Sequence, residues 1–158
     1  MTAHDALRLD QQLCFALYRA SRAVIRAYGP LLEPLGLTYP QYLVMLVLWE
    51  ERSASVKALG ERLALDSGTL TPLLKRLEQR GLVTRRRDAD DERVVRIELT
   101  REGQQLRARA AAVPPGLARC AGFDGLDAQG RARLASLRQE LVALAERIEA
   151  GARDASED

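Results

Sequence analysis

The chain has 158 residues, of which 47% are apolar and 29% charged. That composition excludes wholesale disorder, and the length suffices for a core without metal or disulfide staples. The net charge of +2 is too small to name a partner, so the distribution of charge matters more than its sum.

The longest apolar run, Tyr42 to Trp49, is eight residues, too short to span a bilayer. The first residues show no basic-then-apolar signal, so the expected location is the cytoplasm, with no membrane partner. The single histidine, His4, argues against histidine-built zinc sites and Ser/His or Cys/His catalytic pairs. Cys14 and Cys120 form no CxxC pattern. No cofactor or metal is expected, and no enzyme.

In chain order, residues 6–28 read as a helix. Leu9, Leu13, Leu17, Ala20 and Val24 share one face, and Gly29-Pro30 interrupts it. Pro34 and Gly36 mark a loop. Thr38, Pro40 and Gln41 give a capping box with proline in the first turn, and the apolar run that follows is a buried central helix. Ser55 caps a short helix containing Leu59 and Leu63, and a turn follows near Leu65-Asp66. The next helix carries Leu70, Leu73, Leu74 and Leu77 and stops at Gly81. Its start has two readings. A Thr71 cap puts Pro72 in the first turn, whereas an Asp66 cap leaves Pro72 inside, where it bends the helix.

Beyond Gly81 the period becomes two. Residues 82–85 and 95–99 read as strands, and 88–92 as the polar tip of a β-hairpin. Thr100 caps a further helix, which Pro114-Pro115 kinks or breaks. Leu134, Leu137, Leu141, Leu144 and Ile148 then form a heptad seam suited to pairing with another helix. Residues 151–158 read as frayed. The fold class is therefore mostly α with a small β-hairpin. The whole of 1–158 reads as a single domain. Within it, 53–100 is a winged helix-turn-helix core, and 6–35 with 101–150 a helical dimerisation region.

Charge is concentrated where that core reads as a nucleic-acid reader. From Thr69 to Arg87 the basic residues are Lys75, Arg76, Arg80, Arg85, Arg86 and Arg87, against Glu78 alone. The tail from Glu140 onward is acidic. A central helix that starts with small polar residues and precedes a basic hairpin has the layout of a major-groove reader. Ser67, Thr69 and Thr71 supply short hydroxyls for base edges. Lys75, Arg76, Arg85, Arg86 and Arg93 are placed to meet phosphates or a narrow minor groove. The bland alternative is a solvated helix face with a charged loop, or a protein-binding module on the same frame. The three apolar helical stripes outside the reader exceed what it can cover and point to a homodimer on double-stranded operator DNA.

The segment from Leu63 to Gly103 resembles the DNA-binding core of the MarR family of repressors. LDQQLCFALY and LTYPQYLVMLVLWE resemble its organic-hydroperoxide-sensing subgroup, OhrR, of the two-cysteine type. The resemblance covers roughly residues 7–148. It implies that Cys14 is the redox sensor and that an organic hydroperoxide is the signal. It also implies that Tyr28 and Tyr39 of the partner subunit hydrogen-bond the sensor sulfur. Cys120 is implied to be the resolving thiol, forming an intersubunit disulfide. Arg76, Arg85, Arg93, Asp66 and Asp91 match positions that serve DNA contacts and wing structure. Gly68 departs from the usual alanine. A thiol peroxidase using Cys14, and a ligand-responsive MarR repressor with inert cysteines, are the competing readings.

Overall fold

The computed structural model describes residues 7–123 and 125–155. His4, Ala6 and the last three residues of the tail lie outside the described residues. The chain forms two compact units that divide after Leu117.

In the first unit a short 3-10 turn, Leu9–Gln11, precedes α1, Leu13–Leu32. The helix thus starts later than its apolar spacing suggests. It also runs through Gly29-Pro30, contrary to the expected interruption. Proline inside a helix forgoes one backbone hydrogen bond. Here Leu32, 1% exposed, lies beyond it in the core, and burial of a leucine outweighs a single lost bond. A 3-10 turn, Glu33–Leu35, and Gly36 at φ +64° complete the corner.

Helix α2, Tyr39–Glu51, starts with the full Thr38/Gln41 capping box and is buried on nearly every side, as its all-round apolar sequence requires. β1, Ser53–Ser55, was not apparent in the sequence. Three residues carry no readable period, and the strand exists because β3 supplies its ladder. α3, Val56–Leu63, is capped by Ser55, whose hydroxyl accepts from the Ala58 amide at 3.0 Å. α4 spans Ser67–Gln79, and β2 and β3 span Val83–Arg87 and Val95–Leu99. The antiparallel sheet has the order β1-β3-β2, so the hairpin gains a third strand, with Ala54 opposite Ile97.

α5, Arg101–Ala110, is capped by Thr100. Its first turn packs so closely that a Cβ on Gly103 would fall 2.1 Å from the Leu82 carbonyl oxygen. The Gly103 carbonyl in turn accepts the buried indole N–H of Trp49 at 2.8 Å, which ties α5 to α2. The helix breaks at Ala111-Ala112, and α6, Val113–Cys120, carries Pro114 and Pro115 in its first turn, where proline is tolerated. The core is one cluster around α2, with Leu59, Leu70, Leu74, Leu77, Val83 and Ile97 fully buried against it.

In the second unit α7 runs from Ala128 to Asp154 and buries no residue within the chain. It extends four residues, Gly151 to Asp154, into the tail read as frayed. Good helix formers and a late arginine, Arg153, carry it past Gly151.

Candidate nucleic-acid interface and thiol positions

Asp66, not Thr71, caps α4. Its carboxylate accepts from the Thr69 amide at 2.8 Å and from the Thr69 hydroxyl at 2.9 Å. These bonds hold the Asp66 carboxyl below the usual range, the amide bond contributing most. Pro72 therefore sits inside α4, where its missing N–H leaves the carbonyl four residues earlier, that of Gly68, without its helical donor. The cap alters the expected roles. The Thr69 hydroxyl spends its proton on Asp66 and offers only acceptor capacity outward. Ser67 and Thr71 remain exposed at the helix start, while Leu70, Leu74 and Leu77 hold the opposite face in the core. Lys75 and Arg76 are exposed and engage no partner among the described residues.

The wing sorts its arginines differently. Arg85 is half-buried, donates to the Thr71 carbonyl at 3.1 Å and lies 3.3 Å from the Glu78 carboxylate. It braces β2 against α4 and is the least available of the expected phosphate contacts. Arg86 approaches Glu98 at 3.5 Å but stays mostly exposed. Arg87 donates to the Glu92 carbonyl at 3.1 Å. Arg93 is 94% exposed, with only its neighbour Asp91 at 3.5 Å. Asp91 also accepts the Arg93 amide at 3.0 Å, which shapes the hairpin tip. The Arg96 guanidinium beside Asp88 holds that carboxyl below the usual range. This pair pins the base of the tip, and the sequence reading missed it because alternation along a strand does not reveal which arginine meets which acid.

Cys14 lies in the first turn of α1 and is exposed, and Cys120 ends α6 and is exposed. Tyr28 is near the other end of α1. At about 1.5 Å of rise per residue it stands roughly 21 Å along the axis from Cys14, beyond any side-chain reach within one chain. Tyr28 and Tyr39 pack with ring centroids 4.8 Å apart, and Tyr42 extends the cluster 5.7 Å from Tyr28. Burial pushes the Tyr28 and Tyr39 phenols up, with the neighbouring tyrosines adding to the shift of Tyr28. Both hydroxyls therefore keep their protons at neutral pH.

A sequence profile for the SarA/Rot transcriptional regulators matches residues 26–109. The organic hydroperoxide resistance transcriptional regulator of Bacillus subtilis (strain 168) is 46% identical over 144 residues, spanning 91% of this chain and 94% of that one. AbfR of Staphylococcus epidermidis superposes with a TM-score of 0.69 at 40% identity, over 90% of this chain and 97% of that one. AbfR has been solved reduced on DNA, overoxidized on DNA and in a disulfide form. A MarR-family regulator from Rhodococcus sp. RHA1 superposes with a TM-score of 0.72 at 28% identity, over 85% of this chain and 95% of that one. The chain belongs to the SarA/Rot and MarR transcriptional regulators, in the organic-hydroperoxide (OhrR) subgroup.

These relatives are transcriptional regulators, not enzymes, and the winged-helix fold expected from the resemblance is the one observed. Within this MarR-family fold, the sequence counted Arg80 as part of one basic stretch. The structure takes it out of that stretch, since both its terminal nitrogens donate to carbonyls of the α1–α2 corner. Only the tertiary fold brings residues 35 and 80 together, so no local signal marks the contact.

Proposed function

We propose that this regulator binds operator DNA as a homodimer and releases it when an organic hydroperoxide oxidises Cys14. α4 enters the major groove, presenting Ser67, Thr69 and Thr71 toward base edges. Lys75, Arg76, Arg86 and Arg93 neutralise phosphates, and Arg85 keeps the wing at a fixed angle to α4. Asp66 and Asp91 shape the reading helix and the wing tip.

The observation that carries the redox reading is the separation along α1. Cys14 is exposed at one end, and a pair of protonated tyrosines sits at the other, out of its reach in the same chain. A two-fold dimer built through α1 brings the partner subunit's Tyr28 and Tyr39 to Cys14, where two donors stabilise a thiolate. The Cys14 thiolate attacks the peroxide. The O–O bond breaks, an S–O bond forms, and the alcohol leaves after taking a proton from solvent. Sulfur loses two electrons and becomes a sulfenic acid. The partner subunit's Cys120 then attacks that sulfur. The S–S bond forms and water departs. The exposure of both thiols and the AbfR disulfide form support this sequence.

The test is a gel shift on the DNA flanking the gene, with reduced protein and one equivalent of an organic hydroperoxide. Reduced protein should bind and oxidised protein should leave. Cys14→Ser should bind and ignore peroxide, because an alcohol is neither ionised nor nucleophilic at neutral pH. Release of Cys14→Ser by peroxide would remove the sensor assignment.

A further inference from the structure

The corner between α1 and α2 is held by two arginines that belong to other helices. Its backbone N–H groups are satisfied locally, the Gly36 amide donating to Glu33 at 2.8 Å and the Leu37 amide to Leu32 at 3.2 Å. The carbonyls of Pro34, Leu35 and Gly36 are instead met from outside the corner. Arg109, on α5, donates to the Pro34 carbonyl at 2.5 Å. Arg80 donates to the Leu35 carbonyl at 3.0 Å and to the Gly36 carbonyl. Three consecutive carbonyls are thus taken by two guanidiniums. Space is fitted to this contact, since a Cβ on Gly36 would meet the Arg80 Nη2 at 2.7 Å, and the φ of +64° already favours glycine there.

Arg80 is the residue that closes α4, its amide donating to the Arg76 carbonyl at 3.2 Å. The corner, in turn, joins the helix end that carries Tyr28 to the helix start that carries Tyr39. We propose that Arg80 is a positioning residue that couples the tyrosine pair to the reading helix, so that displacement of the corner rotates α4. A planar fork making two hydrogen bonds to successive carbonyls fixes angle as well as distance, which a lysine ammonium cannot do. Arg85 at the other side of α4 carries the same motion into the wing. The inference rests on the proposed redox reading, because it needs a signal that reaches Tyr28 and Tyr39.

The experiment compares the wild type, Arg80→Lys and Arg80→Gln as full-length proteins. For each, operator affinity is measured reduced and after one equivalent of tert-butyl hydroperoxide. The rate of Cys14 sulfenic acid formation is followed by mass spectrometry, and dimer state and Tm are recorded. Couplings between sites commonly amount to about 5- to 150-fold in affinity. The wild type should show a loss in that range on oxidation. Both variants should oxidise at the wild-type rate, remain folded dimers and lose most of that factor. Arg80→Lys should keep reduced-state affinity nearest the wild type, because its charge is retained. Arg80→Lys releasing DNA by the wild-type factor would show that only charge at position 80 matters and would overturn the coupling role. Slower Cys14 oxidation in both variants would also overturn it, by placing Arg80 in the chemistry. If the wild type itself stays on DNA when oxidised, the redox reading fails in that arm, and the coupling role falls with it.

Discussion

The reader and the helices that flank it follow different physical rules. α2, α3 and α4 with the sheet bury their apolar faces inside one chain and close their polar groups on one another. α1 and α7 bury far less. α1 buries only Leu32 of its twenty residues, and α7 buries none of its twenty-seven. Yet both carry apolar faces. Leu13, Tyr18, Val24 and Ile25 are exposed on α1, as are Leu134, Leu137, Leu141, Val142 and Ile148 on α7. Exposed apolar surface arranged in a continuous stripe marks an interaction surface. The reader is therefore buried by contacts within the chain, whereas the apolar faces of the flanking helices stay exposed within it, and in the proposed dimer they are the surfaces that a second copy covers. That division suits a dimer whose spacing of two readers changes without either reader unfolding.

The largest effects should separate these two regions. Leu74 is fully buried between α4 and the core, so Leu74→Ala should destabilise the reader by about 2–5 kcal/mol. Urea denaturation should show this with little dependence on protein concentration. Leu137, 50% exposed within the chain, should behave in the opposite way. Leu137→Glu should leave the denaturation of the reader near the wild type but shift the dimer toward monomer by light scattering at micromolar concentration. A monodisperse Leu137→Glu dimer of wild-type affinity would end the comparison as drawn.

A smaller effect sharpens the reader itself. Arg93 and Arg85 are both wing arginines, but one is almost fully exposed beside Asp91 and the other holds structure. Arg93→Ala should lower the salt dependence of operator binding by roughly one unit and leave Tm unchanged. Arg85→Ala should lower Tm as well, because it frees the Thr71 carbonyl and leaves Glu78 without its partner. Equal Tm values in the two variants would show that the brace contributes nothing to stability.

Much of this was legible in the sequence where a local signal exists. The capping box at Thr38, the cap at Ser55, the buried run of α2, the hairpin and the cap at Thr100 are each written in fewer than twenty neighbouring residues. What was not legible depends on distant partners. β1 exists only because β3 lies beside it. Gly29-Pro30 looks like a stop until Leu32 finds the core. Pro72 allows two helix starts until Asp66 accepts the Thr69 amide. The basic stretch is visible in the sequence but its partners within the fold are not: Arg80, Arg85 and Arg87 meet carbonyls and Glu78. The thiol roles rest on resemblance, because spacing alone places a cysteine in a helix without saying what approaches it.

The smallest expected effect concerns acid. The Asp66 and Asp88 carboxyls both sit below their ordinary value of 3.8, Asp66 through the Thr69 amide and hydroxyl and Asp88 chiefly through Arg96. A folded value below the unfolded one means that the charged form is favoured by folding. The stabilisation is then complete above the ordinary carboxylate value and is lost as pH falls below it, through the lower folded values. Asp66 is exposed, and Asp88, half-buried, pairs with the exposed Arg96, so solvent and salt screen the effect and it should be modest. Replacing Asp88 with asparagine should flatten the acid limb of a Tm-against-pH curve while leaving Tm at pH 7 slightly lower, because the bond to Arg96 loses its charge. Replacing Asp66 with asparagine should also flatten that limb, yet it keeps a side-chain oxygen that can accept the Thr69 amide and so preserves the cap. Asp66→Ala removes that acceptor and should weaken operator binding at neutral pH more than Asp66→Asn does. Equal binding by Asp66→Ala and Asp66→Asn would mean that the start of α4 does not depend on this cap. The reading helix would then be held by the burial of Leu70, Leu74 and Leu77 and by the Arg85 and Arg80 contacts, with its first turn left to the backbone.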